Sequence, residues 1–395
     1  MVKSSADNKE LLSSIDHIFT GAGSYPIEFI FSYNGFLDEQ TLRSSLEETI
    51  RYFPPIASIL IKLSEDAYAF ELSKDGVVFD VLKTDLSFSE NDKKYEYINP
   101  VDTQEGNPLA KIRITHTPKG SVLGVSISHA IGDGFSYFHF LSSWARIFHG
   151  KPFLPPVHQR DLLITEMKKD HLALTKDDIF KNSGLFWEGK RKIIAKEDLK
   201  WESRIFTNEE LKDLLTVAQK ESEVRISFND IITAQLSKEF LLKWKQSDNK
   251  DPCFISCPVD FRRLFDEFPK TYFGNAVVLT TTTIDYQSLQ EVALAELALM
   301  IRSNVKKVDQ ESVNRSVETL TALRSQQKRK VFENIHVMHP HTGLLVTNLS
   351  RLPVPEITFN AGPPVDYSIL TQTVRGAVVL PHTEGLEVRI CCPVN

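Results

Sequence analysis

Apolar positions along this chain recur at two periods, and the switches between them mark out strands and helices. Ile27 to Tyr33 is rich in Phe and Ile and reads as a strand. Leu42, Leu46 and Ile50 follow at helical spacing within Asp38 to Tyr52, with Asp38 as the N-cap and Pro54-Pro55 as the stop. Ile56 to Leu63 and Tyr68 to Leu72 read as strands, and Leu109 to Thr117 and Ser121 to Ser128 flank a hairpin turn at Pro118-Lys119-Gly120. Within the last of these, Val125 and Ile127 alternate with Ser126 and Ser128. Phe135, Phe138, Leu141, Trp144 and Phe148 then form one apolar stripe of a helix.

After Gly150 the pattern lapses. Pro152 to Lys200 carries Pro155-Pro156, Lys168-Lys169-Asp170 and Lys190-Arg191-Lys192 with little strand signal, which reads as a crossover between domains. The second half restarts with capping boxes at Thr207-x-x-Glu210 and Ser227-x-x-Asp230. Val277 to Ile284 is a Val/Thr strand, and Ser288 to Val305 reads as one long amphipathic helix opened by Ser288-x-x-Glu291. Gly343 to Thr347, Val374 to Leu380 and Leu386 to Cys392 complete a β-rich end. The expectation is an α/β (α+β) protein of two similar halves, residues 1–155 and 199–395, joined by a crossover linker over 156–198. Each half is a mixed sheet with flanking helices.

Bulk properties narrow the function classes. The chain has 395 residues, enough for two or three domains. Its net charge of −6, without a long basic stripe, gives no support to nucleic-acid binding. No apolar run approaches the ~20 residues of a membrane span. Met1 to Glu10 is polar, so no secretory signal is expected. Cys253, Cys257, Cys391 and Cys392 do not form a disulfide pattern, and a cytoplasmic monomer is the expectation.

The chemistry concentrates at His129-Ala-Ile-Gly-Asp133-Gly134, where an imidazole ends an apolar strand and a carboxylate follows four residues on. A histidine on a strand-to-helix turn is placed for general-base work; the bland reading is a buried histidine satisfying nearby carbonyls. Gly274 and Asn275 read as shaping a turn at a domain interface, since both residue types tolerate positive φ. His336, His339 and His341 lie close together, but Pro340 breaks any helix that would align them and no metal site is expected.

These residues resemble the BAHD acyltransferases of the chloramphenicol acetyltransferase fold. Besides His129-x-x-x-Asp133-Gly134 and the helix after it, Leu12-Ser13-Ser14-Ile15-Asp16 is similar to the family's "LSxlD". Phe53-Pro54-Pro55-Ile56-Ala57 resembles "fPplAG", with Ser58 for the glycine. Val259-Asp260-Phe261-Arg262 resembles "vDxR", Tyr272-Phe273-Gly274-Asn275 "YFGN", and Val346-Thr347-Asn348 with Leu352-Pro353 "vTSWxxlP". Leu349 stands where the family has tryptophan. The family's Asp-Phe-Gly-Trp-Gly loop matches Thr358 to Gly362 only at Phe359 and the last glycine, which marks a divergent member and puts the shape of the cofactor channel in question.

The resemblance implies two chloramphenicol acetyltransferase-like domains with the active-site channel at their interface. It implies an acyl-CoA-dependent transferase of secondary metabolism, acting on a small-molecule alcohol or amine, with acyl-CoA as co-substrate and no permanently bound cofactor. His129 is then the base, and Asp133 is structural, pairing with Arg262 to orient the turn, with Gly134, Gly274 and Asn275 in support. An Asp133–His129 dyad is the other reading of that spacing. Thr347 is the oxyanion candidate by its "TSW" match; a strand threonine chosen for β-preference is the alternative. Lys328-Arg329-Lys330 and Lys306-Lys307 are the visible basic clusters for coenzyme A phosphates, or else solvated helix faces. Two other readings stay open. A carrier-protein-dependent condensation-type enzyme usually has a histidine where Ser128 stands, and a non-catalytic binding protein would have kept only the fold.

Overall fold

The computed structural model describes residues 9–164, 173–220, 224–244, 251–371 and 373–393; Lys168-Lys169-Asp170 and most of the polar opening at Met1 to Glu10 lie outside them. Two principal sheets carry the molecule. The first has five strands, in the order Asp366–Ile369, Ile27–Tyr33, Gly120–Ile127, Ala110–Thr117, Val78–Lys83. The second has six, in the order Val277–Ile284, Cys253–Asp260, Gly343–Asn348, Gly376–His382, Gly385–Cys392, Lys200–Thr207. The first sheet's edge strand Asp366–Ile369 belongs to the second half of the chain and pairs antiparallel with Ile27–Tyr33, Tyr367 opposite Phe31. A linear division at the crossover therefore separates this strand from the sheet that holds its hydrogen bonds.

Every residue of Ile27–Tyr33 and of Gly120–Ile127 is buried, so the first sheet is covered on both faces. The serines that break the apolar alternation are satisfied internally. Ser126 donates to Glu28 Oε1 at 2.9 Å and accepts from Val101 N at 2.9 Å, while Ser128 pairs with Thr103 at 2.8 Å. Glu28 is itself buried and ion-paired with Lys196. On the other face lies the helix Gly134–Phe148, whose Phe138, Leu141 and Trp144 enter a core that also takes Phe261, Tyr272 and Phe273 from the second half.

The crossover is anchored more firmly than its composition suggests. Its helix Lys176–Ser183 packs on the helix Gln310–Gln327, and its strand Phe186–Trp187 pairs with Ile335–His336. Arg160, Leu163, Ile179 and Leu185 are buried. The helix expected over Ser288 to Val305 is two helices, Tyr286–Glu291 and Leu294–Lys306, with extended backbone at Val292 and Ala293. Its cap is Asp285, which accepts from Ser288 N at 2.8 Å, not Ser288. The strands Val78–Lys83, Lys200–Thr207, Cys253–Asp260 and Asp366–Ile369 were not legible as strands, since flanking polar residues blur their period.

Candidate active site

Gly120–Ile127 delivers His129 to the seam between the sheets. The turn after it is closed by Asp133, which caps the helix Gly134–Phe148 by accepting from Ser136 N at 3.0 Å. Arg262 grips the same carboxylate with two bonds, Nη1 to Oδ2 at 2.8 Å and Nη2 to Oδ1 at 3.0 Å, and Ala276 N donates to Oδ2 at 3.0 Å. Four donors thus fill Asp133's two oxygens, and His129 is not among them. Burial works to raise the Asp133 pKa, and the Arg262 charge and hydrogen bonds overcome it, leaving the pKa below its ordinary value. The geometry matches the pair with Arg262 and not the dyad.

Gly274 sits at the centre of this knot, but not for a positive φ, which neither it nor Asn275 has. Its carbonyl accepts from Arg262 Nη2 at 2.8 Å and from Ser136 Oγ at 2.9 Å. A Cβ there would stand 2.7 Å from the Tyr272 ring. The sequence thus needs glycine for close approach. Gly134 is less constrained: a Cβ would meet only the Leu349 Cδ2 methyl, at 3.3 Å.

Asn275 carries the link to the imidazole. Its Nδ2 donates to His129 O at 2.7 Å and to Asp16 Oδ1 at 2.7 Å, so its Oδ1 is the acceptor toward His129 Nδ1 at 3.0 Å. His129 Nδ1 therefore bears the proton and Nε2 the lone pair. No described residue bonds Nε2. The Phe19 ring stacks on the imidazole, centroids 3.7 Å apart at 14°, and Tyr25 meets it edge-on at 5.9 Å. Burial lowers the His129 pKa from 6.5 against the opposing pull of Asp133, its own backbone, Asn275 and Asp16, so the ring is neutral at neutral pH.

Asp16 lies in the quoted Leu-Ser-x-x-Asp segment, though its part in the site was not read from sequence. Its local signal is the three-residue spacing from Ser13: Ser13 N donates to Asp16 Oδ2 at 3.0 Å, and Asp16 N to Ser13 Oγ at 3.1 Å. Arg160, from the crossover, donates from Nε to the same Oδ2 at 3.0 Å and from Nη2 to Ile131 O at 2.8 Å. Nothing near Arg160 in sequence marks it.

His129 opens on a cavity of about 920 Å³ walled by both sheets, with Ile15, Phe19, Tyr25, Phe138, Val346 and Val378 among its lining. Thr347 lines the same cavity from Gly343–Asn348, half-buried, its hydroxyl bonded by no described residue. Leu349, in place of the family's tryptophan, is also at this wall. The altered loop Thr358 to Gly362 is elsewhere. Phe359 packs on Trp144 and Phe148, at the far end of a helix ~20 Å long by its 1.5 Å rise per residue. Asn360 ties that loop down by accepting from Asp38 N at 3.0 Å and donating to Phe36 O at 2.9 Å.

Arg329 and two of the clustered histidines serve structure, while Lys306, Lys307, Lys328 and Lys330 are exposed. Arg329 is buried, bonded to Ser64 O and Glu65 O and lying over the Tyr68 ring, so it is not a free phosphate ligand. His336 Nε2 is held by the carbonyls of Glu188 and Gly189, and His339 Nδ1 faces Thr342. All four cysteines are free and buried, and burial pushes Cys257 up to about 12. Among the described residues no helix is long and apolar enough to cross a membrane.

A family model described as the Transferase family matches residues 3–394. An omega-hydroxypalmitate O-feruloyl transferase of Arabidopsis thaliana is 23% identical over 367 residues, covering 87% of this chain and 74% of the relative. A hydroxycinnamoyl-CoA:5-hydroxyanthranilate N-hydroxycinnamoyltransferase of Avena sativa is 25% identical, covering 84% and 78%. In structure, TRI101 of F. sporotrichioides, complexed with coenzyme A and T-2, superposes at a TM-score of 0.75 with 14% identity, covering 97% of this chain and 94% of that one. Vinorine synthase superposes at 0.72 with 17% identity, covering 99% and 91%. At these identities the superpositions establish the fold.

Proposed function

We infer the reaction from one premise: the chain belongs to the Transferase family, the family of the BAHD acyltransferases. It moves an acyl group from a coenzyme A thioester to the hydroxyl or amine of a small acceptor. The observation that carries this reading is the half-buried His129, its Nδ1 tied to Asn275 and its Nε2 bare toward a cavity built from both sheets. His129 Nε2 takes the acceptor's proton as the acceptor oxygen or nitrogen attacks the thioester carbonyl. The Thr347 hydroxyl donates to the oxyanion of the tetrahedral intermediate. Collapse breaks the carbon–sulfur bond, and the imidazolium returns its proton to the leaving thiolate. No acyl-enzyme is needed, which fits four cysteines that are all buried.

The apolar cavity suits a bulky acyl group, and the relatives named for feruloyl and hydroxycinnamoyl transfer point to an aromatic one. The condensation-type alternative gains nothing, since Ser128 is spent on Thr103. The test is His129→Ala assayed with an aromatic acyl-CoA and pooled alcohols and amines. Turnover should fall ~10²–10⁴-fold with acyl-CoA affinity retained. A folded variant with wild-type turnover rejects His129 as the base.

A further inference from the structure

We propose that the buried Asp16–Arg160 pair is a positioning element of the transfer site, holding the Asn275 amide in the one orientation that places the His129 proton on Nδ1 and leaves Nε2 bare. The proposal rests on the reading of His129 as base. Its argument is one of donors and acceptors. An ionised carboxylate only accepts. Asp16 Oδ1 is contacted by Asn275 Nδ2 at 2.7 Å and by Asn275 N at 3.2 Å. Turning the amide over would put its oxygen against both that carboxylate and the His129 carbonyl. The charge on Asp16 thus decides which end of the amide faces the imidazole, and the amide decides the tautomer.

Arg160 completes the device. Asp16 is fully buried and Arg160 is 2% exposed, so neither charge is solvated and each needs the other. Arg160 also holds Ile131 O, two residues beyond His129, and reaches Glu10 at 3.2 Å. It therefore fixes Asp16 and the histidine turn together. The crossover supplies a part of the site that neither sheet supplies. The charged and titratable groups around His129 are Asp16 with Arg160 on one side, Asp133 with Arg262 on another, and Tyr25 at its edge. When the imidazolium forms, Asp16 is the carboxylate linked to it through one amide.

The test is Asp16→Asn, which keeps the shape but not the acceptor-only character. kcat should fall ~10-fold or more, as for a misoriented base, with KM for acyl-CoA unchanged. The acid limb of kcat/KM should move to lower pH, because a negative charge that favours the imidazolium is gone. Nitrogen-15 NMR of labelled histidine should show His129 leaving the pure Nδ1–H tautomer. Should Arg160, left unpaired, unfold this variant, Asp16→Asn with Arg160→Met removes both charges and carries the kcat and tautomer readouts. A folded variant with wild-type kcat, acid limb and tautomer overturns the proposal. If His129→Ala kept full activity, the general-base reading would fall, while the tautomer measurement would still decide this one.

Discussion

Two buried aspartate–arginine pairs flank His129, and they differ in which other groups hold the carboxylate. In Asp133–Arg262 both carboxylate oxygens are consumed, by the guanidinium, by Ser136 N and by Ala276 N. In Asp16–Arg160 the guanidinium and Ser13 N fill Oδ2, and Asn275 fills Oδ1 with its backbone N and with the side-chain amide that goes on to the imidazole. The carboxylate four residues from the histidine thus builds the turn, while the one more than a hundred residues upstream is linked to the ring. Each carboxylate accepts four hydrogen bonds, so proximity in sequence is a poor guide to which acid reaches the imidazole; the identity of the donors that fill it is a better one.

The largest expected effect that tests this contrast is Arg262→Met. It leaves Asp133 charged and unpaired in the interior, at a cost of ~3–5 kcal/mol in unfolding free energy. Adding Asp133→Asn should recover part of it, and a double-mutant cycle on denaturant midpoints should be non-additive. Additivity would remove the self-contained character assigned to this pair.

The wild-type pH profile sharpens the comparison from the other side. Burial lowers the His129 pKa, and a general base must be the neutral ring, so on the proposed mechanism activity is present above the folded pKa and lost as pH falls through it. The acid limb of kcat/KM should therefore lie below 6.5, the ordinary histidine value. A limb at or above 6.5 would mean that the flanking carboxylates outweigh burial, and that Asp133 is not neutralised by Arg262.

The smallest effect belongs to a control that touches neither pair. Asn360→Ala loses two hydrogen bonds in the divergent loop, and the cost should be ~1 kcal/mol in stability with kcat unchanged. A drop in kcat would show that the loop reaches the channel after all.

Much of the site was legible because its local grammar is strong. His129 follows a strand whose apolar positions are unambiguous, and Asp133 is an N-cap with the helix stripe directly behind it. Seven of the eleven strands of the two sheets followed from the same periodicities, while the helices Lys176–Ser183 and Gln310–Gln327 were not read from them. What was illegible had a common cause. Strand Asp366–Ile369 is stabilised by partners in Ile27–Tyr33, so its own four residues carry little pattern. Gly274 was taken for a turn former, when it is small because a tyrosine ring lies against it.

By itself the sequence determined the periods, caps and turns, because these depend on residues within a few positions of one another. It thereby determined the family, and with it the candidate base. Only the tertiary structure decided that Asp16 and Arg160 meet. Arg160, in a polar crossover with no motif around it, stands beside Asp16 and the turn of His129. The reason is physical: a buried ion pair is selected by desolvation and hydrogen-bond geometry in the folded interior, and neither leaves a trace in the order of residues along the chain.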